Sequence, residues 1–487
     1  MEKPNVVIIV MDTAKSSSVA NLRRRKNTEL SDISDEGSAY NNSLAASPWS
    51  LPSHASIFTG LYASKHGAHA GYKQLDHHDS YLPALFERAG YETVGVSNNT
   101  WISGEFGFAE GFETFHKTWQ YVQSDTDLGE IARTREGTEK FHALANRLTD
   151  GNPLTNITNA IYGQFLRKQD DDGAKQTNEW VADWLDTRDD SRPFFLFINY
   201  LEPHLEYRPP EEFAEQFLPD DVSYKEAMNI SQDAWEYVAN KTEMSERDFE
   251  ILRALYRAEL AYLNERIGEL RQYLEDAGEW EDTIFVVTGD HGENIGDHGL
   301  MDHQYCLYDT LLHVPLIIHG GAFMGGGTND RLVQLTDLAP TLLDAADIDA
   351  PEAREGFQGV SFHPDADTEP REYAIAEYMA PQPSMDALEK RVGELPKEVY
   401  KYDRSLRAIR STDYKLIRRS DGSRELYHIV EDPEEKNDLA DEKPKTVDEL
   451  ESRLDDWLHS FEHADASGSV SMSQSTKDRL EDLGYIQ

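Results

Sequence analysis

Short apolar runs recur along most of the chain and predict the strands of one buried sheet. They are rich in Val, Ile and Phe, and they cover residues 6–11, 93–96, 194–200, 283–288 and 314–318. A continuous apolar run of this length is typical of a strand buried on both faces, as in a parallel sheet. Helical patterns lie between the runs, which is the arrangement that connects parallel strands.

The longest helical pattern covers residues 248–277, where apolar positions recur every three or four residues. After about residue 365 the pattern changes to short strands at 371–379, 406–419 and 425–428, followed by amphipathic helices over 446–483. We therefore predict an α/β protein with a mostly parallel central sheet in residues 1–365. A polar, helical insertion is predicted at about 117–190, and a smaller C-terminal α+β unit at 366–487.

Charge narrows the range of partners. The 487 residues include 91 acidic and 47 basic side chains, for a net charge of −44. Such a field repels duplex nucleic acid and anionic membranes, so we expect neither as a partner. Acidic surfaces of this extent resemble those of proteins from salt-loving organisms, because concentrated salt screens the self-repulsion.

Cys306 is the single cysteine, so no disulfide forms within the chain. With no membrane-length apolar run or leader pattern, we predict a cytoplasmic protein.

The segment S-P-W-S-L-P-S-H-A-S-I-F-T-G, residues 47–60, predicts a helix with Pro52 in its first turn and Gly60 at its end. Ser50 is then expected just outside the helix N-terminus, where free N–H groups favour an anion. His54 follows about one turn later. A hydroxyl beside an imidazole at such a site suits an esterase nucleophile. The alternative is an ordinary capping serine followed by a surface histidine.

Polar residues that follow the predicted strands are candidate metal ligands. Asp12, His204 and the pair Asp290 and His291 each come directly after an apolar run. Ligands of open α/β sheets bind at the carboxyl ends of the strands, so these side chains are expected to converge. Carboxylates with one imidazole suit a hard or borderline divalent cation, which would lower the pKa of a nearby serine hydroxyl.

Two more histidines follow in G-E-N-I-G-D-H-G-L-M-D-H, namely His298 and His303. Either could protonate a leaving group or contact a substrate oxygen. Nucleophile, metal ligands and acids together are the parts that hydrolysis of a sulfate or phosphate ester requires.

The chain resembles the sulfatase family of the alkaline-phosphatase-like superfamily over nearly its whole length. The likeness is carried by N-V-V-I-I-V-M-D-T, S-L-P-S-H-A-S-I-F-T-G, P-F-F-L-F-I-N-Y-L-E-P-H, T-G-D-H-G-E-N and L-V-Q-L-T-D-L-A-P-T-L-L-D. The resemblance implies a three-layer α/β/α fold with a small C-terminal domain. It also implies that Asp12, Asp290 and His291 bind the metal, that Ser50 is the nucleophile, and that His204 and His303 contact the substrate.

The sequence departs from the family pattern at two positions that bear on the chemistry. Sulfatases carry a formylglycine made from the first residue of C/S-x-P-x-R, whereas here His54 stands where the arginine belongs. Two forms of the nucleophile stay open, namely formylglycine at Ser50 and an unmodified Ser50 alkoxide. Thr13 replaces the second aspartate of the family's Asp-Asp pair. Lys15 is a candidate substrate-binding cation, with an ordinary surface lysine as the alternative.

We predict a metal-dependent hydrolase of sulfate esters that uses one divalent cation. Ca²⁺ is the first choice for this cation, and Mg²⁺ and Mn²⁺ are the alternatives. Ser50 and His54, with His204 and His303, form the predicted catalytic set, and Lys15 and His298 the substrate-binding set. The substrate is expected to be a small molecule or glycan with an anionic ester. One rival is hydrolysis of a phosphodiester or phosphonate monoester by unmodified Ser50. The other is a non-catalytic anion-binding protein on the same scaffold. No oligomeric state is predicted.

Overall fold

The computed structural model describes residues 3–25, 28–76, 79–118 and 171–465. Its strands form a large central sheet, a two-stranded ribbon (β7 and β8) and a four-stranded sheet near the C-terminus (β11 to β14). The strands are β1 (Asn5–Met11), β2 (Ser38–Leu44), β3 (Glu92–Ser97), β4 (Thr114–Lys117), β5 (Phe194–Tyr200), β6 (Thr283–Gly289), β7 (Asn294–Ile295), β8 (Met301–Asp302), β9 (Leu316–His319), β10 (Gly327–Gln334), β11 (Ala374–Tyr378), β12 (Leu406–Arg410), β13 (Tyr414–Arg419) and β14 (Arg424–His428).

The central sheet has the strand order β10-β2-β9-β6-β1-β5-β3-β4. Only β9 runs antiparallel to its neighbours, so the sheet is mostly parallel, as predicted. β1 lies between β5 and β6, and all its residues are buried. Because β1, β5 and β6 are parallel neighbours, the residues that follow them meet at one edge of the sheet.

The helices pack as two groups. The long helix Glu246–Asp276 contacts the helices Ser16–Arg23, Glu29–Glu36 and Ala174–Thr187, whereas the helix Ser50–Thr59 contacts a separate set. These groups give the helical layers of an α/β/α fold. The remaining helices are Ala63–His66, Leu82–Arg88, Glu211–Ala214, Tyr224–Ala227, Ala234–Val238, Asp309–Leu312, Leu338–Ala345, Pro351–Gly356, Met385–Val392 and Pro444–Leu458. None of the helices within the described residues is long and apolar enough to cross a bilayer.

The five predicted strands and the long helix are confirmed, but three strands of the central sheet were not predicted. These are β2, β4 and β10, which carry many polar residues and so lack the apolar run that marks the others. Much of the predicted insertion, residues 119–170, and the end of the predicted tail, 466–487, lie outside the described residues. The domain boundary near residue 365 stays a prediction.

The C-terminal sheet is antiparallel, with the order β11-β12-β13-β14, and β11 contacts the segment that precedes Ser50. The Glu377 N–H donates to the Ala46 carbonyl at 2.9 Å, and the Ser47 hydroxyl donates to the Glu377 carbonyl at 3.0 Å. The Glu377 carboxylate in turn accepts the Ser64 N–H at 2.8 Å. This strand therefore holds the entry to the helix Ser50–Thr59.

A buried charge cluster also joins the C-terminal sheet to the central part of the chain. The two carboxylate oxygens of Asp309 contact Arg410 Nε at 3.0 Å and Lys415 Nζ at 2.8 Å. Lys415 also pairs with Glu435 at 2.8 Å. All four side chains are nearly inaccessible to solvent, so removal of any one of them would leave a buried charge without its partner.

Candidate active site

The helix that carries Ser50 begins at that residue, so Ser50 is the first helical residue and does not lie outside the helix as predicted. Trp49 precedes it in an extended conformation with a φ of −149°. Gly60 ends the helix in the left-handed region with a φ of 65°, and a Cβ there would lie 2.6 Å from the Phe357 ring. The predicted roles of Pro52 and Gly60 in this helix are confirmed.

Asp12, Asp290 and His291 form one buried cluster. Each offers a ligand atom, and these atoms all lie within 4.8 Å of one another. Asp12 follows β1, and Asp290 and His291 follow β6, so the pairing of these strands brings them together. Ser50 joins the cluster, because its Oγ lies 3.3 Å from Nε2 of His291.

Three buried oxygens of this cluster have no hydrogen-bond partner among the described residues: Asp12 Oδ1, Thr13 Oγ1 and Asp290 Oδ2. Buried polar atoms are normally satisfied, so such a concentration indicates a missing ligand. The imidazole of His291 completes the set. Its Nδ1 lies 2.9 Å from the Gly292 carbonyl, to which the neutral ring donates, and this leaves the Nε2 lone pair facing the cluster. Carboxylate, hydroxyl and imidazole donors fit a divalent cation.

The acids and the imidazole of the cluster have strongly perturbed pKa values. Burial and the neighbouring Asp290 raise the pKa of Asp12 to about 6. Burial also raises the pKa of Asp290 above its usual range. Burial and the nearby His303 lower the pKa of His291 well below its usual value, so its ring is neutral. Two carboxylates this close repel each other when ionised, and a bound cation would remove that repulsion.

Two asparagines that were not predicted as site residues connect the members of the cluster. Asn99 Nδ2 donates to Asp12 Oδ2 at 2.5 Å and to Ser50 Oγ at 3.1 Å. Its amide is oriented by the Trp101 N–H, which donates to Asn99 Oδ1 at 2.9 Å. Asn199 Nδ2 lies 3.4 Å from Asp12 Oδ2. Asn199 was detectable as a polar residue within an apolar run, and Asn99 as a residue just beyond a strand end.

His54 lies behind the nucleophile. Its Nδ1 lies 2.9 Å from the carbonyl oxygen of Ser50 and 3.5 Å from Asp290 Oδ2, whereas its Nε2 lies 3.4 Å from Asn199 Nδ2. A neutral ring with a proton on Nδ1 satisfies both hydrogen bonds, since it donates to the Ser50 carbonyl and accepts from Asn199. This ring therefore holds the backbone of Ser50.

His204 and His303 line the same site. Their ring centroids are 5.2 Å apart, and the His303 ring lies 4.5 Å from that of His291. His303 Nδ1 also lies 2.5 Å from Asp302 and 3.6 Å from Glu293, both buried. Burial opposes the charged form of His303, but Asp302 outweighs it and raises the pKa well above its usual value. His303 is therefore a buried cation next to the metal-ligand cluster.

The other two predicted substrate-binding residues have partners of their own. Lys15 Nζ lies 3.5 Å from Asp297 and 5.4 Å from the centroid of the Tyr256 ring. His298 stacks on Tyr308, with centroids 3.6 Å apart and an angle of 15° between the ring planes. The structure thus brings Ser50 together with the predicted metal ligands and with His204 and His303, and it places His298 against an aromatic ring.

The comparisons with known proteins agree on one family. The model of the sulfatase family matches residues 4–348. An arylsulfatase of Clostridium perfringens is 27% identical over 395 residues, which cover 73% of this chain and 77% of the relative. An N-acetylglucosamine-6-O-sulfatase of Bacteroides thetaiotaomicron is 22% identical over 512 residues, which cover 90% of this chain and 83% of the relative.

Two solved structures have the same fold at low sequence identity. One was determined in complex with its substrate, D-glucosamine-2-N,6-O-disulfate. It has a TM-score of 0.66 and 21% identity, and the match covers 94% of this chain and 97% of that one. The other is a phosphonate monoester hydrolase of Agrobacterium radiobacter. It has a TM-score of 0.67 and 18% identity, and the match covers 94% of this chain and 95% of that one.

Proposed function

The chain belongs to the sulfatase family and is a hydrolase that acts on sulfate esters, and we propose that Ser50 is the nucleophile of this reaction. Asp12, Asp290 and His291 are the proposed ligands of the divalent cation that the reaction requires. One observation supports the assignment above all others. The hydroxyl of Ser50 lies 3.3 Å from the Nε2 of His291, in a cluster whose buried oxygens need a further partner.

The proposed cation is divalent and is held by a mixed set of ligands. Ca²⁺ is proposed first, with Mg²⁺ and Mn²⁺ as alternatives, because the carboxylates of Asp12 and Asp290 suit all three cations. The Thr13 hydroxyl is a candidate neutral ligand, since its buried Oγ1 has no other partner among the described residues. When bound, the cation supplies positive charge that lowers the pKa of the serine hydroxyl and neutralises the ester oxygens.

In the proposed reaction, Ser50 Oγ attacks the sulfur atom in line with the leaving oxygen. A bond forms from Oγ to sulfur as the Ser50 hydroxyl passes its proton to water, and the bond from sulfur to the ester oxygen breaks as that oxygen takes a proton from His303. A water molecule then attacks the sulfur, the bond from sulfur to Oγ breaks, and Ser50 regains its proton as sulfate leaves. Asn99 donates to Oγ and thereby orients it for attack. His54 is a positioning residue that holds the Ser50 backbone. The N-terminus of the helix that starts at Ser50 favours the anionic group at this place.

His204 and His303 are the proposed contacts for the sulfate oxygens and the leaving group. His303 is cationic, so it can bind an oxygen anion and can donate a proton to the departing alcohol. His204 lies beside it and can accept or donate a hydrogen bond. Lys15 stays a candidate for electrostatic attraction of the anion, and His298 a candidate for contact at the periphery. Small-molecule or glycan sulfates are the proposed substrates.

A second candidate reaction is the hydrolysis of a phosphodiester or phosphonate monoester by unmodified Ser50. It is supported by His54, which stands where a formylglycine-forming sequence has arginine, and by the fold shared with the phosphonate monoester hydrolase. The mass of the peptide that contains Ser50 separates the two forms of the nucleophile. An intact serine favours the alkoxide, and an aldehyde favours the sulfatase chemistry of the formylglycine type.

The experiment that tests the function compares substrates on one preparation of the metal-loaded protein. Aryl sulfate, aryl phosphodiester and phosphonate monoester are assayed with the unaltered protein and with Ser50→Ala. We expect the fastest turnover with aryl sulfate and a loss of roughly a thousandfold or more in Ser50→Ala. Ser56→Ala is the matched control, because Ser56 lies on the same helix and its hydroxyl contacts His66 at 3.2 Å.

Faster phosphodiester or phosphonate turnover would overturn the sulfate assignment and leave the nucleophile in place. A third outcome is that the unaltered protein turns over none of the substrates and that Ser50→Ala binds aryl sulfate as tightly as the unaltered protein does. The chain would then be an anion-binding protein. The cytoplasmic location and the high-salt habitat stay proposals that rest on the composition of the chain.

A further inference from the structure

Lys73 is a half-buried cation with no carboxylate partner among the described residues. Burial alone accounts for its pKa, which is lowered to about 8. Several fully buried cations of the described residues are paired with carboxylates: Arg371 with Asp337, and both Arg410 and Lys415 with Asp309. Lys73 differs from these three, because burial lowers its pKa and no carboxylate of the described residues pairs with it.

Aromatic rings connect Lys73 to the nucleophile. The Lys73 Nζ lies 5.0 Å from the centroid of the Trp101 ring. Trp101 packs edge to face on Trp49, with centroids 5.6 Å apart, and Trp49 directly precedes Ser50. The backbone of Trp101 also orients Asn99, which donates to the Ser50 hydroxyl. Two aromatic rings in contact therefore join the Lys73 ammonium group to the segment that carries Ser50.

The charged form of Lys73 would be more stable with an anion bound next to it. Burial of an ammonium group is costly unless the charge is paired. A contact with an aromatic face stabilises a cation only weakly and does not replace an ion pair. Since no carboxylate of the described residues supplies the pairing, an anion from outside the chain would restore the favourable charged state of Lys73.

We propose that Lys73 binds an anionic group of the substrate beside the Ser50 site. The inference rests on the proposed function, since it takes the substrate to be an anionic ester. Two groups share the chemistry that Lys73 would recognise. One is the sulfate that is cleaved, and the other is a second sulfate or carboxylate elsewhere on the same substrate.

The test measures binding rather than turnover, so it is independent of catalysis. Calorimetry on metal-loaded Ser50→Ala uses 4-nitrophenyl sulfate and a ring-carboxylated aryl sulfate as probes, at constant ionic strength. Adding Lys73→Met, which keeps a long apolar side chain over Trp101, should raise the Kd about tenfold or more. Lys73→Arg should restore most of the affinity. Lys401→Met is the matched control, because Lys401 lies 4.8 Å over the Tyr402 ring and its loss changes the net charge equally.

The pattern across the probes identifies the anionic group. Weaker binding of both probes assigns Lys73 to the sulfate that is cleaved, and weaker binding of the carboxylated probe alone assigns it to a second anion. Equal affinities with and without Lys73→Met, or no measurable binding of either probe, would overturn the inference. If the unaltered protein cleaves no sulfate ester but Lys73→Met still weakens binding, the proposed function fails separately.

Discussion

The hydroxyl oxygen of Ser50 lies 3.3 Å from Nε2 of His291, although 241 positions separate the two residues in the chain. The contact arises because the helix that starts at Ser50 points its first turn at the edge where β1 and β6 end. The other nitrogen of His291 faces the Gly292 carbonyl, so the lone pair of Nε2 is directed at the hydroxyl. Asp12, Asp290 and His291 would hold a cation beside this hydroxyl, and its charge would lower the pKa of the hydroxyl.

Removal of the metal should abolish activity, and His291→Ala should weaken metal binding by roughly tenfold or more. The reason is that His291 provides the only nitrogen among the proposed ligands. Chelation with EDTA, dialysis and titration with Ca²⁺, Mg²⁺ and Mn²⁺ measure both effects, and we expect Ca²⁺ to restore most activity. His319→Ala is the control, since that buried ring stacks on Trp280. Full activity after exhaustive chelation would contradict the proposed metal dependence.

Asn99→Ala should lower kcat by roughly a hundredfold with a smaller effect on KM. Asn99 donates to both Asp12 and Ser50, so its loss frees the hydroxyl to rotate and leaves Asp12 Oδ2 short of a donor. Steady-state kinetics on an aryl sulfate checks the effect. Asn42→Ala, which removes an amide that donates to the Asp330 carbonyl near the surface, should leave both constants unchanged. An unchanged kcat in Asn99→Ala would rule out the orienting role.

Asp309→Asn should lower the free energy of unfolding by roughly 3–5 kcal/mol at neutral pH, because it breaks a buried ion pair and leaves Lys415 and Arg410 short of an acceptor. Burial alone would raise the pKa of Asp309, but Arg410 and Lys415 outweigh it and hold the pKa well below its usual 3.8. The unfolded chain therefore binds this proton more readily. The stabilisation of the folded state by Asp309 is complete above the usual pKa of 3.8, and it is lost as the pH falls towards the lower pKa of the folded state.

Denaturant unfolding of both proteins between pH 7 and pH 2.5 measures this difference. The gap between the unaltered protein and Asp309→Asn should narrow below about pH 4. Asp421→Asn serves as the control, because Asp421 pairs with Arg404 at the surface at 2.7 Å and should contribute little. A gap that stays constant down to pH 2.5 would contradict the assigned pKa direction.

The KM for anionic substrates should rise as the pH passes above about 8. Burial lowers the pKa of Lys73 to about 8, so its ammonium group loses its proton in this range and no longer attracts the anion. Below this value KM should be flat. Lys73→Arg should extend the flat region to higher pH, and Lys73→Met should lack this component at every pH. Identical profiles for all three proteins would contradict a role for Lys73 in binding.

The apolar runs predicted the central strands because burial on both faces demands uninterrupted Val, Ile and Phe, as in β1 and β5. β2 was missed because its sequence S-A-Y-N-N-S-L carries polar residues where it is partly exposed. The strand ends predicted Asp12, Asp290 and His291, because parallel neighbours bring their carboxyl ends together.

The orientations of individual side chains could not be predicted in this way. Spacing places His54 one turn after Ser50, but packing directs its ring at the Ser50 carbonyl and at Asn199. Asn99 carries no charge and belongs to no run, so only the folded chain shows that it joins Asp12 to Ser50. Lys73 likewise becomes notable only once its burial is known, together with its lack of a carboxylate partner among the described residues.

The hydrogen bonds between Glu377 and the stretch that leads into Ser50 have a consequence for how the chain can be divided. A protein shortened at residue 365 would keep every proposed reactive side chain, yet the peptide ahead of the nucleophile would lose its anchorage on β11. In the full chain, the C-terminal sheet therefore fixes the start of the helix that carries Ser50. Fragments that omit it should be poor catalysts for lack of a fixed nucleophile.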